Sequence, residues 1–219
     1  MPLTLYQRLL IAGLTLLLST AHADVRDEEI ASCHPQEIVT WKDGIDHRVQ
    51  VPLIVAYEPA DAPPWFTRRE IYETLERALK GWSGCGLPTV LLPLGQQPPA
   101  GAIRVRWSVA AGPGYAGLAN LGDRTLTLSP LVFKALHERN PNYPALELLA
   151  TTLAHELGHF HGLGAHSKRC VDVMSYYSDG HGGKCELRDP SAFKSRLEYR
   201  STQPTACDIA RCRAVNARP

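Results

Sequence analysis

Runs of apolar residues separated by polar turns predict several short strands. Residues 48–57 (RVQVPLIVAY) are apolar and β-branched, and Pro52 places this strand at a sheet edge or a bulge. Residues 102–109 (AIRVRWSV) alternate between apolar and polar positions, which is typical of a strand with one buried face. Residues 125–128 form a further strand after the glycine-rich stretch 112–122.

Helical spacing of apolar residues predicts helices between and after these strands. Thr67 and Glu70 form a capping box that opens a helix ending before Gly84. Ser129 and Pro130 begin a short helix to about residue 137, a third helix follows Pro144, and Thr205 caps a closing helix over 205–215. Strands with backing helices predict an α+β fold. The predicted buried stripe of the third helix is Leu146, Leu149, Ala150, Leu153 and Leu157.

The first 23 residues have the pattern of a targeting segment. Arg8 is the only charged residue before an apolar run over 9–18, and Ala21-His22-Ala23 matches an A-x-A cleavage site. The run is too short to span a bilayer. We therefore expect a cleaved signal peptide over residues 1–23, a mature chain from Asp24, no membrane anchor, and a secreted or periplasmic protein.

Charge and length restrict the remaining possibilities. The chain has 23 Lys and Arg residues against 22 Asp and Glu residues, and Arg8 lies in the predicted signal peptide. The mature chain is therefore electrically balanced, which argues against nucleic acid as a partner. Residues 24–219 are enough for one sizeable core. We expect one monomeric domain, divided by a cleft into an upper lobe (about 24–162) and a lower lobe (about 163–219).

All six cysteines lie in the predicted mature chain. An even number of cysteines in an exported protein indicates disulfides, although the connectivity does not follow from the sequence. Zinc binding by cysteine is the weaker alternative, because no C-x-x-C pair occurs. The pairing that we predict is Cys33–Cys85, Cys170–Cys185 and Cys207–Cys212.

The strongest chemical signal is His155-Glu156-Leu157-Gly158-His159. Residues four apart lie one above the other on a helix, so both imidazoles can reach one ion. Glu156 follows the first histidine and can accept a proton from a water at the metal instead of binding the metal. The H-E-x-x-H spacing therefore predicts a zinc hydrolase helix.

A catalytic zinc site usually has three protein ligands, and His166 is the candidate for the third. In a continuous helix His166 would lie roughly 10 Å beyond His159 along the axis, so the chain must turn back. Gly162 and Gly164 favour that turn. Two alternatives remain open: His161, which a continuing helix would point towards solvent or a second shell of contacts, and a downstream carboxylate such as Glu186.

HELGHFHGLGAHS followed by DVMSYY resembles the metzincin clan of zinc endopeptidases, particularly its matrixin-like and serralysin-like branches. The resemblance implies a zincin-like fold, in which a twisted mixed sheet with a backing helix and an active-site helix lies above a small C-terminal lobe. It implies that Met174 forms a hydrophobic floor beneath the zinc, and that Tyr176 is a switchable ligand or a hydrogen-bond donor in the transition state. One departure is that Ala165 occupies the family's third histidine position, so the motif here is one residue longer.

The same resemblance implies further roles. The strand near residues 115–120 would be the sheet edge that binds an extended peptide, with Gly117, Leu118 and Ala119 as its substrate-binding residues. In some relatives an N-terminal cysteine occupies the open position of the zinc and keeps the enzyme inactive. This latency role is the alternative to a disulfide for Cys33. The sequence thus predicts an exported zinc endopeptidase with one Zn²⁺ ion and peptide substrates.

The alternative function is a secreted zinc-containing binding protein of the same fold without turnover. The general base at Glu156 argues against it, because a binding protein has no use for one. Calcium binding is possible but unsupported, because the Asp-Gly pairs at Asp43 and Asp179 are typical of turns.

Overall fold

The computed structural model describes residues 25–112, 114–176, 178, 180–192 and 199–217. The predicted signal peptide and Asp179 lie outside the described residues. Within this part of the chain, no helix is long and apolar enough to cross a membrane. The helices are α1 (Val25–Ala31), α2 (Arg68–Gly81), α3 (Pro130–Arg139), α4 (Ala145–Phe160) and α5 (Ala206–Asn216), with short 3₁₀ turns at Pro35–Glu37, Trp82–Cys85, Val109–Ala111 and Pro190–Ala192.

The strands form one five-stranded mixed sheet in the order β2-β1-β3-β5-β4. Its first four strands are parallel, and β4 runs antiparallel to β5 at one edge of the sheet. The α+β architecture predicted from the sequence is therefore confirmed, as is the edge position of the strand near residues 115–120. The strands are β1 (Leu53–Glu58), β2 (Thr89–Leu91), β3 (Ile103–Trp107), β4 (Gly117–Asn120) and β5 (Thr125–Leu128).

Three details of the predicted strands were wrong. Pro52 predicted a sheet edge or a bulge for the first strand, but β1 lies inside the sheet between β2 and β3. The first strand begins at Leu53 and not at residue 48, because Pro52 lacks a backbone donor and stands before the ladder. Leu53 N–H begins the pairing with a bond to the carbonyl of Pro88 at 2.9 Å. Strand β2, which also pairs with β1, was not predicted, because three residues are too few to show a periodic pattern.

Helix α2 backs the sheet as predicted. The Thr67 hydroxyl accepts the Glu70 backbone N–H, and the Glu70 carboxylate accepts the Thr67 N–H, which completes the capping box. The buried face packs against α4, and the Trp82 Nε1–H donates to the carbonyl of Ala154 on α4 at 2.8 Å. The buried apolar residues of this face are Ile71, Leu75, Ala78, Leu79 and Trp82.

Helix α4 is almost entirely buried along its predicted stripe. Leu149, Leu153 and Leu157 are fully buried, so this part of the prediction is confirmed. Ala150 is half-buried, and Leu146 departs furthest from the prediction, because 41% of its surface is exposed. By its angle around the helix axis Leu146 belongs to the stripe. It lies in the first turn of the helix, however, where the neighbouring Glu147 is also exposed.

Three disulfides join the six cysteines. The predicted bond Cys170–Cys185 is confirmed, whereas the other two predicted pairs were wrong. Cys33 is joined to Cys207, because residues 25–49 fold back beside α5 and bring Cys33 to the first turn of that helix. Cys85 is joined to Cys212. Three disulfides indicate an oxidising compartment.

The N-terminal segment and the C-terminal segment pack together through polar contacts. Glu29 is buried, accepts a hydrogen bond from the Tyr199 hydroxyl, and accepts the Arg188 backbone N–H at 3.0 Å. Arg188 also contacts Glu37 at 2.6 Å. We call residues 53–160 the sheet half, and residues 25–49 together with 161–217 the polar half.

Candidate metal centre

Three histidines converge at the junction of the two halves. His155 and His159 lie one turn apart on α4, and His166 lies on the loop that follows the helix. One ring nitrogen from each histidine lies within 4.8 Å of the other two, and the Nε2 atoms of His155 and His166 are 3.2 Å apart. The structure thus places the three predicted ligands around one point.

Each of these rings is held through its other nitrogen. His155 Nδ1 lies 2.7 Å from the carbonyl oxygen of Val173, and His159 Nδ1 lies 2.8 Å from that of Leu163. His166 Nδ1 lies 2.7 Å from the Oδ2 atom of Asp43. Carbonyl and carboxylate oxygens only accept, so each Nδ1 carries the proton and each Nε2 has a lone pair. This is the arrangement that orients metal-binding histidines.

The chain reverses after α4 at the predicted glycines. Gly162 has a φ of 96°, and the N–H of the next residue, Leu163, donates to the carbonyl of Gly158 at 3.1 Å. A Cβ atom on Gly162 would lie 2.2 Å from the His47 carbonyl oxygen, and one on Gly164 would lie 2.1 Å from that of Ile45. Glycine is therefore required by the turn at Gly162 and by close backbone contact at both positions.

The competing third ligands lie elsewhere. His161 is 1% exposed, its Nδ1 donates to the Leu157 carbonyl at 2.8 Å, and its ring stacks on Trp82. A continuing helix would have pointed His161 towards solvent or a second shell of contacts. The helix ends at Phe160 instead, and the ring turns into the core, so the solvent-facing alternative was wrong. Glu186 is not among the potential ligands grouped with the histidines in the described part of the chain. His137 stacks on Trp65 with ring centroids 4.4 Å apart.

Burial sets the charge state of the three rings. It lowers the pKa of His155 well below the usual value for histidine, and positive charge on His159 and His166 would lower it further. Burial also lowers the pKa of His159 to about 4. At His166 burial again lowers the pKa and outweighs the opposing contact with Asp43. Neutral imidazoles at neutral pH are the form that binds a metal ion.

Glu156 lies beside the histidines under the edge strand. Its side chain is buried, and a Cβ atom on Gly117 of β4 would lie 2.9 Å from its Cγ. Burial raises the pKa of Glu156 to about 7, while a hydrogen bond from the Ala119 backbone and the charge of Arg200 partly oppose this shift. The carboxyl group therefore faces the gap between α4 and β4.

Met174 and Tyr176 lie on the segment that follows the His166 loop. Met174 is fully buried, and its sulfur packs so closely on α4 that a Cβ atom on Gly158 would lie 2.1 Å from it. Tyr176 donates its hydroxyl to the Oδ2 atom of Asp43 at 2.7 Å, and its ring centroid is 4.5 Å from that of His166. The structure therefore brings Tyr176 to the histidine cluster and packs Met174 against α4 at Gly158.

A cleft of about 740 Å³ opens above this cluster. The cleft is lined by Gly117 of β4 with the three residues before it and, among the described residues after Tyr176, by Ser178, Gly180 and Arg200. Arg200, which was not singled out in the sequence, lines the cleft and donates from its guanidinium to the Ser175 carbonyl at 2.9 Å. The lining residues are Gly114, Tyr115, Ala116, Gly117, Val132, Leu148, Thr152, His155, Glu156, His166, Tyr176, Ser178, Gly180 and Arg200.

Asp43 is a second site residue that sequence reasoning missed. Its Asp-Gly pair is a turn signal, and the residue lies 123 positions before the histidine that it contacts. Burial tends to raise the pKa of Asp43, but hydrogen bonds from His166 and Tyr176 outweigh burial and hold it below its usual value. An alignment of related chains could have shown Asp43 to vary together with His166; spacing within one sequence could not.

Comparisons with known proteins add little to this geometry. No protein-family model and no curated protein matches the chain. Among solved structures, the chain is similar to the GM1-bound form of the ECX AB5 holotoxin, with 15% identity, a TM-score of 0.43, and coverage of 79% of this chain and 87% of that chain. It is also similar to a zinc-dependent peptidase from Methanocorpusculum labreanum, with 15% identity, a TM-score of 0.43, and coverage of 73% and 99%. Similarities this low carry no argument about function.

Proposed function

We propose that this protein is an exported zinc-dependent endopeptidase of the metzincin type. The observation that carries the proposal is the arrangement of His155, His159 and His166, whose Nε2 atoms converge while each Nδ1 is held by an acceptor. The predicted signal peptide and the three disulfides support export.

The donor set fits zinc better than a harder cation. Three neutral imidazoles are ligands typical of catalytic zinc, whereas Ca²⁺ and Mg²⁺ prefer oxygen ligands. His155, His159 and His166 would hold the ion, and the cleft above them provides access for water and substrate. When bound, the zinc ion lowers the pKa of a coordinated water and polarises the scissile carbonyl.

Glu156 supplies the proton transfer in this reaction. One carboxylate oxygen of Glu156 accepts a proton from the attacking water, whose oxygen forms the new bond to the carbonyl carbon. The carboxyl group then delivers that proton to the leaving nitrogen as the peptide C–N bond breaks. The position of Glu156 between the histidines and β4 is where such a group must lie, since the substrate peptide crosses this gap.

Strand β4 offers the peptide a backbone to bind. Within the described residues it pairs with β5 on one side only, and it forms a wall of the cleft at Gly117, next to Glu156. Leu118 is 46% exposed and Ala119 lies beside it. A substrate in extended conformation would add to this edge through main-chain hydrogen bonds, which places its scissile bond over the histidines.

The test compares the wild-type protein with Glu156→Gln after zinc loading. Both are incubated with a diverse peptide pool, the products are read by mass spectrometry, and bound zinc is measured by elemental analysis. We expect wild type to cleave internal peptide bonds, and Glu156→Gln to retain zinc and lose activity by about 10²- to 10⁴-fold.

Glu147→Gln is the matched control, because it makes the same change at an exposed position on the same helix. It should cleave as wild type does. Wild-type protein that binds zinc but cleaves no peptide would instead indicate the zinc-containing binding protein. Retained peptidase activity in Glu156→Gln would remove Glu156 from the mechanism.

A further inference from the structure

The carboxylate of Asp43 collects three hydrogen-bond donors. Its Oδ1 atom accepts the backbone N–H of His166 at 2.9 Å. Its Oδ2 atom accepts the Nδ1–H of the same histidine and the hydroxyl of Tyr176, both at 2.7 Å. Two residues of the candidate metal centre are therefore held by one side chain from the N-terminal segment.

His166 differs from the other two histidines in how its ring is oriented. His155 and His159 donate to main-chain carbonyls of Val173 and Leu163, which no substitution of a side chain can remove. His166 alone donates to a side chain. The tautomer of the third ring therefore depends on a single replaceable group.

The segment that carries Asp43 is closely fitted to the His166 loop. A Cβ atom on Gly44 would lie 2.2 Å from the carbonyl oxygen of Gly164, so the two backbones are in direct contact. The Trp41 N–H donates to the His166 carbonyl at 3.0 Å, and the Trp41 ring stacks on Tyr176 with centroids 5.5 Å apart. The contacts on both sides of Asp43 thus keep its carboxylate at the ring.

We propose that Asp43 is the positioning residue of the metal centre, which holds His166 with its lone pair on Nε2 and holds the Tyr176 hydroxyl beside it. The inference rests on the proposed zinc site. Asp43 does not touch the reacting atoms; it acts through the third histidine and the tyrosine. The segment over residues 40–47 is therefore a part of the active site, although it is distant in sequence from the zinc-binding motif.

Asp43→Asn is the most informative substitution, because it preserves the shape of the side chain and changes only which of its atoms donate and accept hydrogen bonds. An amide has one acceptor oxygen and one NH₂ group, whereas all three partners of Asp43 are donors. If the NH₂ group faces the ring, it favours the His166 tautomer with the proton on Nε2, which cannot bind zinc. If the NH₂ group instead faces the backbone N–H of His166, two hydrogen-bond donors face each other and that hydrogen bond is lost.

The experiment measures zinc affinity by competition with a chelator. We expect Asp43→Asn to bind zinc about 10- to 100-fold more weakly than wild type, the range typical for losing such a supporting contact. Tyr176→Phe removes the tyrosine contact but keeps the bond from Asp43 to His166, so it should weaken zinc binding less than Asp43→Asn does. Asp61→Asn is the control for the amide itself, because Asp61 is exposed and has a φ of 60° that asparagine adopts readily.

Nitrogen-15 NMR of the histidine rings provides a readout that a purely structural role would not change. Metal-free wild type should show His166 protonated on Nδ1, and Asp43→Asn should raise the population protonated on Nε2. Wild type with His166 protonated on Nε2 would overturn the proposal, and this measurement remains decisive even if Asp43→Asn fails to fold.

The outcomes also separate this inference from the proposed function. Wild type that binds zinc and cleaves peptides, together with an Asp43→Asn variant of equal zinc affinity, would overturn only the role of Asp43. Wild type that binds no zinc would overturn both.

Discussion

The sheet half and the polar half are each stabilised by a different kind of contact. In the sheet half, β1, β3, β5, α2 and α4 bury a continuous apolar core in which residues such as Val55, Ile103 and Leu126 are fully buried. In the polar half the apolar cluster is small, centred on Cys170, Val171 and Tyr199. Leu163, Val173 and Met174 of the polar half join the core of the sheet half, and the polar half is also connected by disulfides, ion pairs and hydrogen bonds.

The candidate metal centre draws on both halves. His155 and His159 belong to a helix that the apolar core holds on both sides. His166 belongs to the polar half, where the Arg211 guanidinium contacts the Asp46 carboxylate and also donates to the Ala165 carbonyl. His155 and His159 are therefore positioned by apolar packing, whereas His166 is positioned by polar contacts. We expect substitutions in the core to affect the first two histidines and substitutions of polar residues to affect the third.

The largest expected effect comes from the disulfides of the polar half. Cys33–Cys207 closes a loop of 174 residues and Cys170–Cys185 one of 15. On the chain-entropy model, replacing both cysteines of the first pair by alanine lowers the free energy of unfolding by about 5 kcal/mol, against about 3 kcal/mol for the second. Guanidinium unfolding of the two double variants measures this difference, and equal losses would contradict it.

A smaller effect tests the packing of the sheet half. Leu149→Ala should lower the free energy of unfolding by about 3 kcal/mol, because the side chain is fully buried and its removal leaves a cavity. Leu146→Ala is the matched control on the same helix, and its exposed side chain should cost less than about 0.5 kcal/mol. Urea unfolding curves separate the two; similar losses would mean that the first turn of α4 is packed after all.

The smallest effect is a pH dependence of the polar half. The hydrogen bond from Arg188 lowers the pKa of Glu37 to about 2, with burial partly opposing it. Because the folded-state pKa lies below the unfolded value, this contact stabilises the protein above about pH 4.5, and the stabilisation is lost as the pH falls towards 2. Glu37→Gln should therefore cost about 1 kcal/mol at pH 7 and roughly half of that or less at pH 3.

Urea unfolding of wild type and Glu37→Gln at both pH values measures this change. The matched control is Glu73→Gln, which removes a surface pair with Arg69 in the sheet half. Exposed pairs contribute little, so this variant should follow wild type at both pH values. A Glu37→Gln cost that is the same at pH 3 as at pH 7 would show that the pair with Arg188 does not carry the effect.

Predictions from the sequence succeeded where the information is local. The capping box at Thr67 and the buried stripe from Leu149 to Leu157 follow from contacts between residues three or four apart, and both are present. The turn at Gly162 likewise follows from a conformation that only glycine adopts easily. The three-residue strand β2 escaped prediction, because a strand this short has no period to detect.

Predictions failed where chain segments meet from afar. Two of the three predicted disulfides were wrong, since pairing depends on how residues 25–49 fold back and not on the spacing of the cysteines. The burial of His161 against Trp82 escaped prediction for the same reason.

The sequence by itself determined the helix that presents His155, Glu156 and His159 on one face, because the helical repeat converts a spacing of four into proximity. Only the tertiary structure decided which side chain orients His166. That contact closes a loop of more than a hundred residues between Asp43 and the ring, and no local repeat relates the two positions. Their meeting depends on the packing of the whole polar half against the sheet half.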